Sequence, residues 1–514
     1  LVLKNKIPVI DLFAGPGGLG EGFSCFQEDG YRQFDVRLSI EKDLRAIETL
    51  SLRAFFRAFG KDLAPDLYYD YICGSIDKRI LQNTKCVKSE WEKANVEVRK
   101  ATLGDIEPVV VDAWLGESLK NEADWVLIGG PPCQAYSMVG RSRMRGSNPI
   151  AFERDKRHFL YREYLRIIQK FQPTVFVMEN VKGILTSMHG GSLIFDRIRD
   201  DLSRPSDDLE YEIRSLVMEG ANIQPKQFII ESEKYGIPQA RHRVILLGVR
   251  RSHSHIKNDT LLERDKVTVK DVISLLPRIR SRLSNKYGRV DNFISWQSVL
   301  ESALGNIDNW RDDSRDLILE MMKTAIQDSR KHESAGGLFI PQVDQSDSLI
   351  KPKRLAEFIL DQRVGGVTLH ESRSHMPSDL HRYLFAACYG ELHHQSPKLR
   401  NFPSMLWPDH KNLDGSLRTS EVPFEDRFRV QPWNSPSTTI MSHMAKDGHY
   451  FIHPDPSQCR SFTVREAARL QTFPDNYFFE GNRTEQYVQV GNAVPPFLAL
   501  QIAKVVSNIL KLRP

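Results

Sequence analysis

The chain has 514 residues, 40% hydrophobic and 27% charged, which is the composition of a folded globular protein with room for two or three domains and carries no disorder or collagen signature. Its formal net charge of +5 is mildly basic and barely favours a nucleic-acid partner. Apolar runs stay well short of the ~20 residues of a membrane span and lysines interrupt the start, LVLKNKIPVIDLF, so neither a signal peptide nor an anchor is expected. Cys25, Cys73, Cys86, Cys133, Cys388 and Cys459 show no CxxC or Cys/His ligand spacing, which argues against a zinc site or a disulfide framework and fits a reducing, intracellular compartment.

From residue 1 to about 250, β-rich runs alternate with helical patterns, and VIDLF, VRLSI, WVLIGG, TVFVMEN, KQFIIE and RVILLGV read as strands. Such alternation predicts an α/β, Rossmann-like fold with a mostly parallel sheet and helices on both faces. The first run ends in Asp11–Phe23, DLFAGPGGLGEGF, where Gly15, Gly17 and Gly18 have no Cβ to keep a ligand from the backbone. A nicotinamide-binding protein shows the same bare pattern. FAGPGG, however, lacks the GxGxxG spacing that seats a pyrophosphate, and Phe13 offers an aromatic face to a sulfonium cation.

The second run ends at Glu41. Residues 50–100, with the mixed-charge KCVKSEWEKANVEVRK, read as an inserted surface element. The run Trp125–Ile128 then leads into Gly129–Ser137, GGPPCQAYS, which places Cys133 at a strand end beside a Pro-Pro pair that fixes the backbone, a place to hold a nucleophile. Beyond it, MVGRSRMRGS offers Gly140 and Gly146 as hinges and Arg141, Arg143 and Arg145 as phosphate partners. Tyr161–Phe171 spaces Tyr164, Leu165, Ile168 and Phe171 as a helix, ahead of Phe176–Gly183, FVMENVKG, an apolar run that ends in Glu179.

From about 251 the alternation loosens. Arg251–Leu300 holds 10 Lys+Arg against 5 Asp+Glu, and Arg278, Arg280, Arg282, Lys286 and Arg289 form either a solvated face or a phosphate-contacting strip. At the end, Phe497–Leu510 is a helix whose apolar stripe needs a core, so it should pack back on the first domain.

Six strings in this order, DLFAGPGG, GGPPCQ, MENV, QARHRV, REAARLQTFPDNY and VGNAVPP, resemble the DNA (cytosine-5) methyltransferase family of the bacterial, restriction-modification kind. The resemblance covers about 1–250 and 425–514. It implies a catalytic domain over 1–250 with 50–100 as an insertion, a smaller irregular α+β target-recognition domain over 251–484, and a returning C-terminal helix over 485–514. It further implies S-adenosyl-L-methionine as methyl donor, S-adenosyl-L-homocysteine as product, and double-stranded DNA as partner. A cytoplasmic, nucleoid-associated monomer, paired genetically with a restriction endonuclease, fits the same resemblance.

Family positions for the cofactor fall on Phe13, Ala14, Gly15, Gly17, Gly18, Leu19, Glu41 (ribose hydroxyls), Asp105 and Ile106 (adenine, with Asp77 of GSID as rival to Asp105), Pro131, Leu160, Asn492 and Ala493. No metal site is expected. Cytosine C5 is a poor nucleophile, and a thiolate adding to C6 activates it; Cys133 is that nucleophile, and Arg241 and Arg243 supply positive charge for a group whose ordinary pKa is ~8.5. Glu179 matches the carboxyl group that meets N3 of the base, and Gln239, Arg241 and Arg243 brace the catalytic loop. The base must be swung out of the duplex. Ser137, Val139, Arg141 and Arg143 on the loop, and Thr439 and Ile440 in PSTTIMSH, match DNA-contacting positions. A tRNA cytosine-5 methylase and a catalytically silent DNA-binding protein of the same fold are the alternatives.

Overall fold

The apolar runs of the first 250 residues form one eight-stranded sheet: β1 (Ile7–Leu12), β2 (Phe34–Glu41), β3 (Val98–Lys100), β4 (Val126–Gly129), β5 (Val175–Val181), β6 (Tyr211–Arg214), β7 (Ile229–Glu231) and β8 (His242–Arg250). The computed structural model describes residues 6–59, 63–131, 160–189, 192–220, 222–254, 259–285, 290–307, 309–342, 350–408 and 425–511. The strand order is β6-β8-β5-β4-β1-β2-β3, with β7 also on β8. The pairs among β1 to β5 are parallel, and β6, β7 and β5 each run antiparallel to β8. The expected Rossmann-like α/β class is the observed one.

Alternation of side chains along a strand assigns the two faces. Ile10, Leu12, Leu38 and Ile40 pack with Val111 and Leu115 of α4 (Pro108–Leu119) and Ile167 and Ile168 of α5 (Leu160–Phe171). On the other face α1 (Gly18–Cys25) lies over β1 and β2, its Gly20 close to Asp11 and Val36. α12 (Pro496–Lys511) packs on α1, so closely that a Cβ on Gly22 would stand 2.4 Å from the Ala499 Cβ. The stretch Arg483–Lys511 is apolar and long enough to cross a membrane by composition, yet 83% of its most apolar window is buried, as for a core helix.

The charged text KCVKSEWEKANVEVRK is not wholly surface. Its helix α3 (Lys88–Glu97) lies on α2 (Leu44–Phe59), with Trp91 stacked on Phe55 at 4.5 Å between ring centroids, and it ends where Val98–Lys100 become β3.

Two compact units result, Leu1–Tyr68 with Lys78–Lys266 and Asn492–Pro514, and Tyr69–Asp77 with Val267–Gly491. The second has a helical core in which α7 (Phe293–Ser302) and α8 (Arg315–Ser329) pack on α9 (Pro377–His393) around Trp296, Met322 and Phe385. Beside it, Gly336–Pro341 and Gly366–Glu371 pair as an antiparallel ribbon. Of the arginine strip, Arg280 is buried on Asp291 at 2.7 Å, Arg282 pairs with Glu371 at 2.8 Å and Arg278 lies 3.6 Å from Asp455, while Lys286 and Arg289 fall outside the described residues. Much of that charge is therefore spoken for within the fold.

Buried ionisable groups give the units opposite pH responses. In the first, Asp11 is 1% exposed, and the Gly20 N–H approaches its carboxyl without reaching hydrogen-bond geometry. Burial pushes this carboxyl up to about 8, against the attraction of Arg57. The folded state thus holds a proton that the unfolded chain releases above 3.8, and stability is lost as pH rises through about 8. In the second unit burial depresses His370 to about 4 and also lowers His375, His449 and His453. These rings are neutral when folded and protonated when unfolded, so their contribution is intact above 6.5 and lost as pH falls toward about 4. Hydrogen exchange should accordingly show peptides 366–375 and 449–453 opening first on acidification, and a uniform acid response of both units would refute this. Asp11→Asn should remove a loss of about 1 kcal/mol per pH unit below pH 8 in urea melts; an unchanged pH slope would show that Asp11 is ionised in the fold.

Candidate active site

In a parallel sheet, ligands gather outside the carboxyl ends of the strands where the strand order reverses. Here that point is between β1 and β4, whose last residues Leu12 and Gly129 are register partners. The loop after β1 turns sharply: Phe13 and Gly15 both have φ of 56°, and Ala14 N–H donates to the Ile40 carbonyl at 3.2 Å. A Cβ on Gly15 would meet nothing within 4 Å, so the space over the loop is open to a ligand. Gly17, at φ 93°, caps α1. Gly18 serves packing, since a Cβ there would stand 2.2 Å from the carbonyl oxygen of Val494, and Leu19 is buried behind it.

Glu41, at the end of β2, reaches back to this loop. One carboxylate oxygen accepts from the Gly15 N–H at 2.8 Å and the other from the N–H groups of Lys42 and Asp43 at 2.9 and 3.0 Å. A carboxylate has about four lone-pair sites, so acceptor capacity remains for a ligand hydroxyl. Asp105 and Ile106 follow β3, whose Lys100 pairs in register with Glu41; Asp105 is exposed and Ile106 packs on the core. Leu160 lies against Gly104, and Asp77 belongs to the second unit. Asn492 is exposed and Ala493 buried, just ahead of Val494.

The next strand ends complete the cluster. A Cβ on Gly130 would stand 3.0 Å from Oε2 of Glu179, and the Asn180 side-chain amide donates to the carbonyl of buried Pro131 at 3.4 Å. Glu179 Oε1 is held by Arg243 Nε at 2.8 Å across the β5–β8 pair, both side chains about 15% exposed. Arg241 is almost fully buried, and desolvation together with the Arg243 charge pushes its pKa well down, with Glu179 opposing. Gln239 is fully buried. Cys133, Ser137, Val139, Arg141 and Arg143 lie outside the described residues. Thr439 is half-buried and Ile440 fully buried in the second unit.

The strings thus bring together, at one end of one sheet, an open glycine turn, the Glu41 clamp, Asp105, Pro131 and the Glu179–Arg243 pair. Two acids of the same region were not singled out by sequence. Asp11 interrupts the apolar run VIDLF, which is a legible signal. Glu21, within GGLGEGF, is fully buried and bonded by Arg53 Nε at 2.9 Å, a pairing that no spacing rule connects.

Residues 83–508 match the family model described as C-5 cytosine-specific DNA methylase. The Type II methyltransferase M.Bpa9945I of Bacillus paralicheniformis is 32% identical over 98% of this chain and 99% of its own length. M.AgeI of Thalassovita gelatinovora is 26% identical over 97% and 98%, and M.ApeKI of Aeropyrum pernix, a DNA (cytosine-5-)-methyltransferase, 27% identical over 75% and 81%. Among solved structures, one described as a DNA modification methyltransferase encoded within an Escherichia coli prophage aligns over 98% of this chain and all of its own at a TM-score of 0.53 and 20% identity, a likeness of fold. The chain belongs to the C-5 cytosine-specific DNA methylases and is a DNA (cytosine-5-)-methyltransferase.

Proposed function

We propose that the enzyme methylates C5 of a cytosine swung out of a specific duplex sequence, with S-adenosyl-L-methionine as donor and S-adenosyl-L-homocysteine as product, through a covalent bond from Cys133 to C6. The observation that carries this reading is the course of the chain after β4: it leaves the sheet beside the Glu179 carboxyl, with Gly130 against Oε2 and Pro131 bonded by Asn180, and Cys133 follows two residues later.

The Cys133 thiolate forms the S–C6 bond, and the C5–C6 π pair moves into the ring as an enamine. The Glu179 carboxyl group, fixed by Arg243, donates a proton to N3 as negative charge develops there and recovers it when the ring is restored. The bound donor supplies an electrophilic methyl group, which C5 takes while the S–CH3 pair stays on sulfur. Water or hydroxide removes the C5 proton, the C6–S bond breaks, and the thiolate returns. The buried Arg241 beside Arg243 adds the positive field that favours the thiolate.

For the donor, the open space at Gly15 and the spare acceptor capacity of Glu41 fit a ribosyl sulfonium compound. Phe13 offers its ring to the sulfonium, Asp105 accepts from the adenine amino group, Ile106 and Leu160 flank the ring, and Pro131 and the Asn492–Ala493 turn close the site. Asp105 is preferred to Asp77 because it follows the strand paired with Glu41. Ser137, Val139, Arg141 and Arg143 contact DNA from the loop. Thr439 and Ile440 do so from the second unit, through backbone for the buried Ile440. We further propose a cytoplasmic, nucleoid-associated monomer paired genetically with a restriction endonuclease. No specific observation favours a tRNA substrate or a silent DNA-binding role.

With labelled S-adenosyl-L-methionine, label should appear at C5 of cytosine in duplex DNA and not in tRNA; label confined to tRNA would sink the proposal. Cys133→Ser should abolish transfer, and spare cofactor binding, and fluorinated cytosine in the duplex should trap an adduct only with the native cysteine. Glu179→Gln should lower kcat about a hundredfold with little change in cofactor affinity, as expected for a group acting on developing charge. Glu41→Ala should raise the KM for the donor about tenfold, and an unchanged KM would remove Glu41 from the site.

A further inference from the structure

A cavity of about 770 Å³ lies in the first unit, at the opposite end of β2 from Glu41. Its floor is Phe34–Arg37, where β2 has β1 on one side and an open edge on the other, because β3 pairs only with Ser39–Glu41. α2, α3 and the last turn of α4 form the walls, so the charged stretch before β3 encloses space as well as covering the sheet.

The lining has seven Lys and Arg side chains against four acids. Two acids are already engaged, Asp35 by Arg37 at 3.1 Å and Glu97 by Arg57. Burial also pushes Glu97 up to about 7, with Arg57 opposing, so its negative charge is only partly present at neutral pH. Lys6, Arg32, Arg99 and Lys120, by contrast, have no acidic partner among the described residues. Among the described residues, the Arg32 guanidinium donates only to the Arg57 carbonyl, at 3.0 Å. The Arg99 guanidinium rests 5.6 Å from the centroid of Trp114, and its buried Nε has no hydrogen-bond partner among the described residues. Unmatched cations around a space of small-molecule size call for an anion with several acceptor oxygens, and guanidinium groups suit phosphate best.

We propose that this cavity is a second ligand site, distinct from the donor site, that takes a phosphorylated molecule up to nucleotide size with its phosphate held by Arg32, Arg99 and Lys120. Arg57, in the cavity wall, bonds Glu97 and also approaches Glu21 of α1 at 3.9 Å.

Calorimetric titration of the full chain, saturated with S-adenosyl-L-homocysteine to fill the donor site, tests this with inorganic pyrophosphate and with uridine monophosphate as probes. At least one should bind saturably with unit stoichiometry, and Arg99→Gln should weaken it at least about tenfold while leaving the melting temperature in place. Should Arg99→Gln fail to fold, Lys120→Asn, at an exposed position of φ 49° that asparagine accepts, should show the same direction of effect. Absence of binding by both probes at millimolar concentration, or binding that a folded variant leaves unchanged, would overturn the proposal.

Discussion

The parallel pairing of β1 with β4 is the constraint on which the site depends. Leu12 and Gly129 end side by side, while the chain after β1 turns toward α1 and β2 and the chain after β4 turns toward α5 and β5. The strand order reverses between them, and such a reversal leaves a crevice at the strand ends. β2 and β5 continue the sheet on either side, and each brings an acid to that edge, Glu41 and Glu179. The first is held by backbone N–H groups and the second by a guanidinium from an antiparallel neighbour.

How much of this was legible follows from the length and purity of each signal. Six apolar runs became strands, and YREYLRIIQKF became α5, because each is long enough for its period to show. β3 and β6 were not seen: VRK and YEIR are three and four residues of mixed character, and they are strands because a neighbouring edge supplies hydrogen-bond partners. In the site, the strings located strand ends correctly in the fold, since a glycine turn or a Pro-Pro pair is a local feature. Partnerships were hidden, because Glu41 to Gly15, Arg243 to Glu179 and Arg53 to Glu21 join residues 26 or more positions apart. The arginine strip, open between a solvated face and a phosphate-contacting strip, could not be assigned for the same reason. Its count was right, but Arg280 and Arg282 answer to Asp291 and Glu371, which composition cannot assign.

Charge is buried in this protein where it organises backbone. Arg465, fully buried in the second unit, donates to the carbonyls of Thr368, Pro474 and Tyr477; Arg469 is bonded through two nitrogens to Asp475 and also reaches the Val272 carbonyl; and Arg460 is bidentate to Glu466 at 2.7 Å on both oxygens. Two of the segments tied in this way, at Thr368 and Val272, are remote in sequence from the string that ties them. Replacing such a network with apolar side chains is often neutral in stability, but removing one partner leaves a buried charge and costs about 3–5 kcal/mol.

The string REAARLQTFPDNY is buried together with these bonds. An arginine satisfies several carbonyls at once that no sheet or helix reaches, and a unit with short ribbons and irregular connections has many such carbonyls. An apolar side chain of equal volume would fill the space and leave them bare. The Thr463 capping box starts the same helix, Glu466 closing it while also binding Arg460, so one carboxylate serves both the helix end and a buried guanidinium. The second unit, with its short ribbons and irregular connections, is therefore built on directional bonds at its middle, and its apolar helices supply the bulk around them.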